Sequence, residues 1–320
     1  MNRRPNRSII LLVAFGTLFI AGTVVYQNQS GEQDAAPPDL AIASENATRN
    51  EPQGGVSIAG GIYLIGYDAG PRDVRPSCQI KLAPFVIDST EVTNAMFAEF
   101  VEATGYITDA ERRGQSLVFD LQKQTFTQQQ GANWQTPAGP GSSAVGKPDH
   151  PVVQVSWYDA QAYAKWAGKS LPTEFQWEAA ARGKNLERSY PWGTTLNPNS
   201  KAMANLWEGN FPIRDLGTDG YSGTSPVGIY PPSENGLFDL AGNVSEWTSS
   251  WYAADSYDRI TRENPTGPNT GDARVTRGGS WLSSDQTGTS EAMVWYRSKL
   301  SPEMSNNFTG FRCVRNQTPN

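Results

Sequence analysis

RGGSWLSSDQTGTSEAMVWYRSKLSPEMSNNFTGFRCVR, residues 277–315, is the stretch on which the reading of this chain turns. Its ends are RGGSW (277–281) and GFRC (310–313), and its middle is polar, with one cysteine, Cys313, and no histidine. Elsewhere in the 320 residues there is one further cysteine, Cys78, and a single histidine, His150. One histidine excludes a histidine-built zinc or copper centre and argues against a Ser-His-Asp triad. Two cysteines make no zinc site, but they could close one disulfide in an oxidising compartment.

Outward from that segment, the composition is that of a loop-rich globular body. Hydrophobic residues make up 38% and charged residues 18%, with 31 glycines and 22 prolines. Such a chain is neither a helical bundle nor disordered. The net charge of -6 and the lack of a basic run past the extreme N-terminus exclude a nucleic-acid partner.

The N-terminus reads as a targeting segment rather than as part of the fold. Arg3, Arg4 and Arg7 precede an uncharged, mostly apolar run, Ile9–Tyr26, just long enough to span a bilayer. Residues 1–26 are therefore expected to be an uncleaved signal-anchor or a cleaved signal peptide. Poor Ala-x-Ala-type sites after the run favour the anchor. Either way the body is expected to be exported, anchored in the inner membrane with its domain in the periplasm, or otherwise outside the cytoplasm. Residues 27–55, rich in Gln, Asn, Ser, Ala and Pro, read as a flexible linker, and 56–320 as one domain.

Capping signals place three short helices. The first follows Thr93 and stops at Gly105, the second starts at Ser156 with Asp159 completing a capping box and ends at Gly168, and the third starts at Thr173 with Gln176 and ends at Gly183. Short apolar runs at Ile62–Ile65, Phe85–Ile87, Val152–Val155 and Phe311–Val314 predict strands. The region 184–290, dense in Gly, Pro, Asn and Asp, predicts irregular structure. Ten tryptophans could form a carbohydrate-stacking platform, or they could fill a core with little regular structure to bury.

Seven further blocks accompany RGGSW and GFRC in order: GGIYLIGYD (60–68), PFVIDSTEVTNAMFAEFVEATGYITDAE (84–111), DHPVVQVSWYDAQAYAKWAGKSLPTEFQWEAAARG (149–183), YPWG (190–193), ANLWEGNFP (204–212), GTDGYSGTSPVG (217–228) and GLFDLAGNVSEWTSSW (236–251). Together they resemble the formylglycine-generating enzyme (sulfatase-modifying factor) family over nearly the whole domain. The resemblance implies an α+β formylglycine-generating-enzyme fold related to C-type lectins, low in regular secondary structure, with two structural calcium sites. The first site resembles Asn205, the Leu206 carbonyl, Asp219 and the Tyr221 carbonyl. The second resembles Asp239, the Gly242 and Val244 carbonyls, and Glu246. Oxygen-rich sets of this kind suit Ca2+. Asp239 stands where the family's well-known enzymes often have Asn, which adds charge to that site.

The catalytic pattern departs from the family. Its enzymes hold copper(I) with two cysteines, a soft metal on soft ligands. The first position is Ser283 here, and the second falls at Gly288 or Thr289. Copper is therefore not expected, nor is oxidation of a sulfatase cysteine by the copper-cysteine mechanism. Cys313 matches a structural cysteine of the family whose usual partner position is Ala164 here, and a Cys78–Cys313 disulfide is a candidate beside two buried thiols. In the matching groove segment lie Ser283, Asp285, Glu291, Tyr296 and Arg297. Ser283, Glu291 and Arg297 are the candidate catalytic residues, and a carboxylate there could act as general base. Three functions are left open by the resemblance. One is an enzyme binding or modifying a peptide or peptide-derived substrate, as in oxidative tailoring enzymes that mature pyoverdine. The others are a non-catalytic paralogue and a lectin-like binding module.

Overall fold

The computed structural model describes residues 54–184, 187–285 and 290–317, together with the backbone of 9–11 and 22–24. There β1 (Ile9–Leu11) pairs antiparallel with β2 (Gly22–Val24). The expected anchor and linker otherwise lie outside the described residues. Among the described residues no helix is long and apolar enough to cross a membrane.

The helices form where the capping residues place them. Thr93 accepts the Met96 N–H at 3.3 Å and opens α1 (Asn94–Thr104), which Gly105 ends with φ 65°. Ser156 and Asp159 exchange side chain-to-backbone bonds of 3.1 and 2.8 Å at the head of α3 (Trp157–Trp166). Thr173 and Gln176 do the same at 3.1 and 3.0 Å for α4 (Glu174–Arg182). Each box satisfies backbone donors that a helix start leaves open. Thr108 and Glu111 form one more box and open α2 (Asp109–Arg113), a five-residue helix beyond the three expected.

The strands are short and divide among small sheets. β3 (Val56–Ile58) and β13 (Val314–Asn316) flank β6 (Phe85–Ile87), both antiparallel to it. β4 (Gly61–Ile65) pairs with β5 (Cys78–Leu82), and β7 (Gln115–Asp120) with β8 (Thr125–Gln130). The largest sheet has the order β11-β10-β9-β12, from β9 (Ser245–Trp251), β10 (Arg274–Arg277), β11 (Ser298–Leu300) and β12 (Thr309–Gly310). All its pairs are antiparallel except β12 with β9.

Two strand expectations are corrected, and the cysteines take one of the two states left open. Val152–Val155 is buried but is not a strand. Gln154 takes φ 62°, and the segment's N–H groups go to Val92 and Asn306 carbonyls instead of a ladder. Phe311–Val314 is a strand only at its last residue, because the chain turns Arg312 inward between β12 and β13. Cys78 and Cys313 are both free and buried. The strand that joins the two ends of the domain is β6, so Cys78 on β5 sits in one apolar cluster and Cys313 in another.

Tryptophans pack the interior. Trp134, Trp157, Trp177, Trp207, Trp247, Trp281 and Trp295 are all buried, and none of the ten is fully exposed. Their polar edges are served where geometry permits: Trp247 Nε1 donates to the Val155 carbonyl at 3.1 Å and Trp157 Nε1 to that of Thr248 at 2.8 Å. Buried ion pairs tie the layers together. Glu174 and Glu178, one turn apart on α4, pair with Arg297 and with Arg182 and Arg277, while Glu246 on β9 pairs with Arg312.

Candidate functional site

A cavity of about 300 Å³ lies over one face of the largest sheet. Strand register places the hydroxyls of Ser245, Thr276, Ser298 and Thr309 along it: Thr309 lies opposite Ser245, and Thr276 opposite Ser298. None of these hydroxyls has a hydrogen-bond partner among the described residues. Apolar walls come from Val74, Leu117, Leu300 and Phe308, and polar groups from Asp73, Tyr252, Glu291, Tyr296 and Lys299.

The RGGSW turn sets the acid in place. Gly279 has φ 67°, and a Cβ there would come within 2.9 Å of both Ser283 Oγ and the Ala292 nitrogen, so the close approach requires glycine. The Ser280 N–H donates to Ser283 Oγ at 3.0 Å, and that hydroxyl donates to Glu291 Oε2 at 2.7 Å. Glu291 Oε1 has no partner among the described residues. Burial pushes the Glu291 carboxyl up to about 7, against the opposing pull of the Ser283 bond. Burial first and Glu291 second hold the Tyr296 phenol above its ordinary value.

Of the three candidate catalytic residues, the structure brings one to the cavity with a free atom. Glu291 lines it. Ser283 is 1% exposed and stands behind Glu291 rather than on the cavity surface. Arg297 lines the wall, but its guanidinium is engaged by Glu174 at 2.6 and 3.0 Å and by the Asp73 and Ala253 carbonyls. Asp285 accepts from the Tyr190 hydroxyl at 3.1 Å. Gly288 and Thr289 lie outside the described residues.

The two expected oxygen clusters also come together. The Leu206 and Tyr221 N–H groups donate to the two carboxylate oxygens of Asp219 at 3.0 and 3.1 Å, which folds the first cluster into one loop pair beside Asn205. Burial pushes Asp219 up to about 6, and no Lys or Arg pairs with it among the described residues. In the second cluster Asp239 accepts from the Gly228 N–H through Oδ2 and faces the Glu91 carboxyl, with which it shares a hydrogen bond, and burial raises the Asp239 carboxyl to about 6. Burial likewise holds the Glu91 carboxyl well above its ordinary value. Gly242 approaches so near the Asn205 backbone that a Cβ would meet the Asn205 carbonyl oxygen at 2.2 Å. Glu246 differs from the expectation of a ligating carboxylate: Arg312 and Trp177 Nε1 hold both its oxygens.

Residues 41–317 match the model of the sulfatase-modifying factor enzyme 1-like domain. The chain belongs to this family. The formylglycine-generating enzyme of Thermomonospora curvata is 45% identical over 291 residues, covering 83% of this chain and 96% of its own. The inactive C-alpha-formylglycine-generating enzyme 2 of Mus musculus is 41% identical over 277 residues, covering 81% and 84%. Among solved structures, PvdO from Pseudomonas aeruginosa superposes with a TM-score of 0.61 over 82% of this chain and 94% of its own, at 22% identity, a likeness of fold.

Several cavity residues of this sulfatase-modifying factor domain escaped the sequence reading. Asp73, Tyr252 and Lys299, and the four hydroxyls on the sheet, come from separate segments. The one local signal was the alternation of Ser298, Lys299 and Leu300, which puts the first and third on one face of a strand.

Proposed function

We propose that this protein is an exported, membrane-anchored family member that binds or modifies a peptide or peptide-derived substrate in the cavity beside Glu291, and that it does not make formylglycine by copper-cysteine oxidation. The observation that carries this reading is Ser283, at the position of the family's first thiolate, with its hydroxyl committed to Glu291 at 2.7 Å. A hydroxyl oxygen is a hard, poor ligand for copper(I). The chain's two thiols, Cys78 and Cys313, are buried in separate clusters away from the cavity. Incubating the purified domain with copper and a Cys-x-Pro-x-Arg peptide is expected to yield no aldehyde, with peptide binding retained. Aldehyde formation would overturn the reading. A non-catalytic role is the second reading, favoured by the burial of Ser283 and by likeness to a relative named inactive. The buried tryptophans speak against a carbohydrate-stacking surface.

Two calcium ions are proposed as structural components. The residues fit: among the described residues Asp219 is a half-buried carboxylate with no Lys or Arg paired to it, and Asp239 is a buried carboxylate beside a second one, Glu91. Asn205, Asp219 and the Leu206 and Tyr221 carbonyls would hold one ion. Asp239 and the Gly242 and Val244 carbonyls would hold the other, with Glu246 tying the loop to Arg312. Calcium would supply charge neutralisation to loops that have little apolar core of their own.

A further inference from the structure

We infer that the cavity is a binding site for a primary ammonium group carried on an apolar stem, received by Glu291 Oε1. This rests on the reading of the cavity as a ligand site and narrows the ligand's chemistry. Among the described residues only one oxygen of Glu291 is free, because Ser283 holds the other at 2.7 Å. A guanidinium needs both carboxylate oxygens for its two-pronged pairing, whereas an ammonium needs one acceptor and turns its remaining donors where it can. Those acceptors are present as the unpartnered hydroxyls of Thr276, Ser298 and Thr309. The apolar walls accommodate the stem.

The charges around the site agree. Asp73 accepts from the Tyr252 hydroxyl at 2.9 Å, and Arg297 is neutralised by Glu174. The exposed ammonium of Lys299 lies 4.5 Å from the centre of the Tyr252 ring, so this end of the cavity already attracts a cation. Tyr296, its phenol held protonated, adds no charge. Ionised Glu291 therefore leaves the cavity short of one positive charge, and a bound ammonium supplies it. An anionic ligand would meet two carboxylates.

The test is an NMR titration of the full chain with pentylamine, pentanol and pentanoate, and with acetylated, amidated pentapeptides containing or lacking lysine. Pentylamine is expected to bind, at roughly millimolar affinity for so small a probe, while pentanol and pentanoate bind at least about tenfold more weakly. Affinity should fall about tenfold per pH unit below the Glu291 value of about 7 and level off above it. Glu291→Gln should abolish amine selectivity. Lys299→Ala should tighten amine binding by removing a competing ammonium. Ser283→Ala should move the pH midpoint of amine binding upward, because the Ser283 bond pulls the Glu291 carboxyl down, and a merely structural role would not do this. Equal binding of amine and alcohol to the wild-type chain, or no pH dependence, overturns the assignment even if Glu291→Gln fails to fold. A lysine-free peptide that binds wild type and Glu291→Gln alike would overturn the ammonium site and leave the peptide reading standing. Pentylamine binding with no peptide bound would do the reverse.

Discussion

Arg312 grips Glu246 with two prongs, Nε to Oε2 and Nη2 to Oε1, each at 2.7 Å, with both side chains fully buried. The pair joins the GFRC segment to β9, and Trp177 Nε1 adds a third bond to the same carboxylate at 2.8 Å. Its remaining N–H groups reach the Asp88, Ser89 and Phe238 carbonyls. One residue thus closes backbone groups from two loops that have no ladder of their own.

Removing one partner leaves the other charged in a dry interior. Arg312→Met is expected to lower unfolding stability by about 3–5 kcal/mol, and Glu246→Gln by less, since it keeps hydrogen-bond acceptors. Urea titration of each variant and of the Arg312→Met, Glu246→Met double variant checks this. The double variant should recover part of the loss.

Glu291 links the cavity to pH. Its folded-state value of about 7 lies above an unfolded carboxyl's, so the folded protein binds more protons between the two values. Stability should therefore be highest below the unfolded value and decline as pH rises through 7. Glu291→Gln should flatten that decline, gaining roughly 3 kcal/mol over wild type at pH 8 relative to pH 4. Calorimetric melting across pH reads it directly. A decline unchanged in the variant would assign it to other groups.

Calcium dependence has its own readout. Chelation should lower the melting temperature by several degrees, on the order expected when a ligand specific to the folded state is withdrawn. Asp219→Ala and Asp239→Ala should each remove part of that shift, and Glu246 variants should not alter calcium stoichiometry through their side chain. A chelator that leaves melting unchanged would dismiss both sites.

The RGGSW turn should tolerate no side chain at its second glycine. Gly279→Ala would place a methyl 2.9 Å from Ser283 Oγ and from the Ala292 nitrogen, with φ 67° already unfavourable for alanine. We expect a loss of about 2–3 kcal/mol and a lowered Glu291 pKa as its burial loosens, measurable by the carboxyl carbon shift in NMR.

The parts of the fold visible in the sequence are those written in local chemistry. Thr93, Ser156 and Thr173 carry their capping partners three residues on, so α1, α3 and α4 could be placed by inspection. Thr108 and Glu111 carried the same signature, and α2 was missed for want of an apolar face long enough to notice. The β7–β8 hairpin was hidden because Thr125–Gln130 is almost wholly polar and has no apolar alternation. In the candidate site, Glu291 and Ser283 were legible as groove residues. Their hydrogen bond was not, because it depends on a glycine turn that doubles the chain back. The hydroxyl floor was least legible, since strand register alone aligns Ser245, Thr276, Ser298 and Thr309.

The three-stranded sheet at the ends of the domain has a mechanical meaning. Val56 and Val314 both face Ile87, while Ile58 and Asn316 both face Phe85, so β3 and β13 run the same way on either side of β6. Tension between the incoming chain at Val56 and the outgoing chain at Asn316 pulls toward opposite ends of this sheet. The inter-strand bonds are then loaded side by side in shear instead of being peeled one after another. A body held at its first residue and tugged at its last would be gripped like two strips of tape pulled along their length.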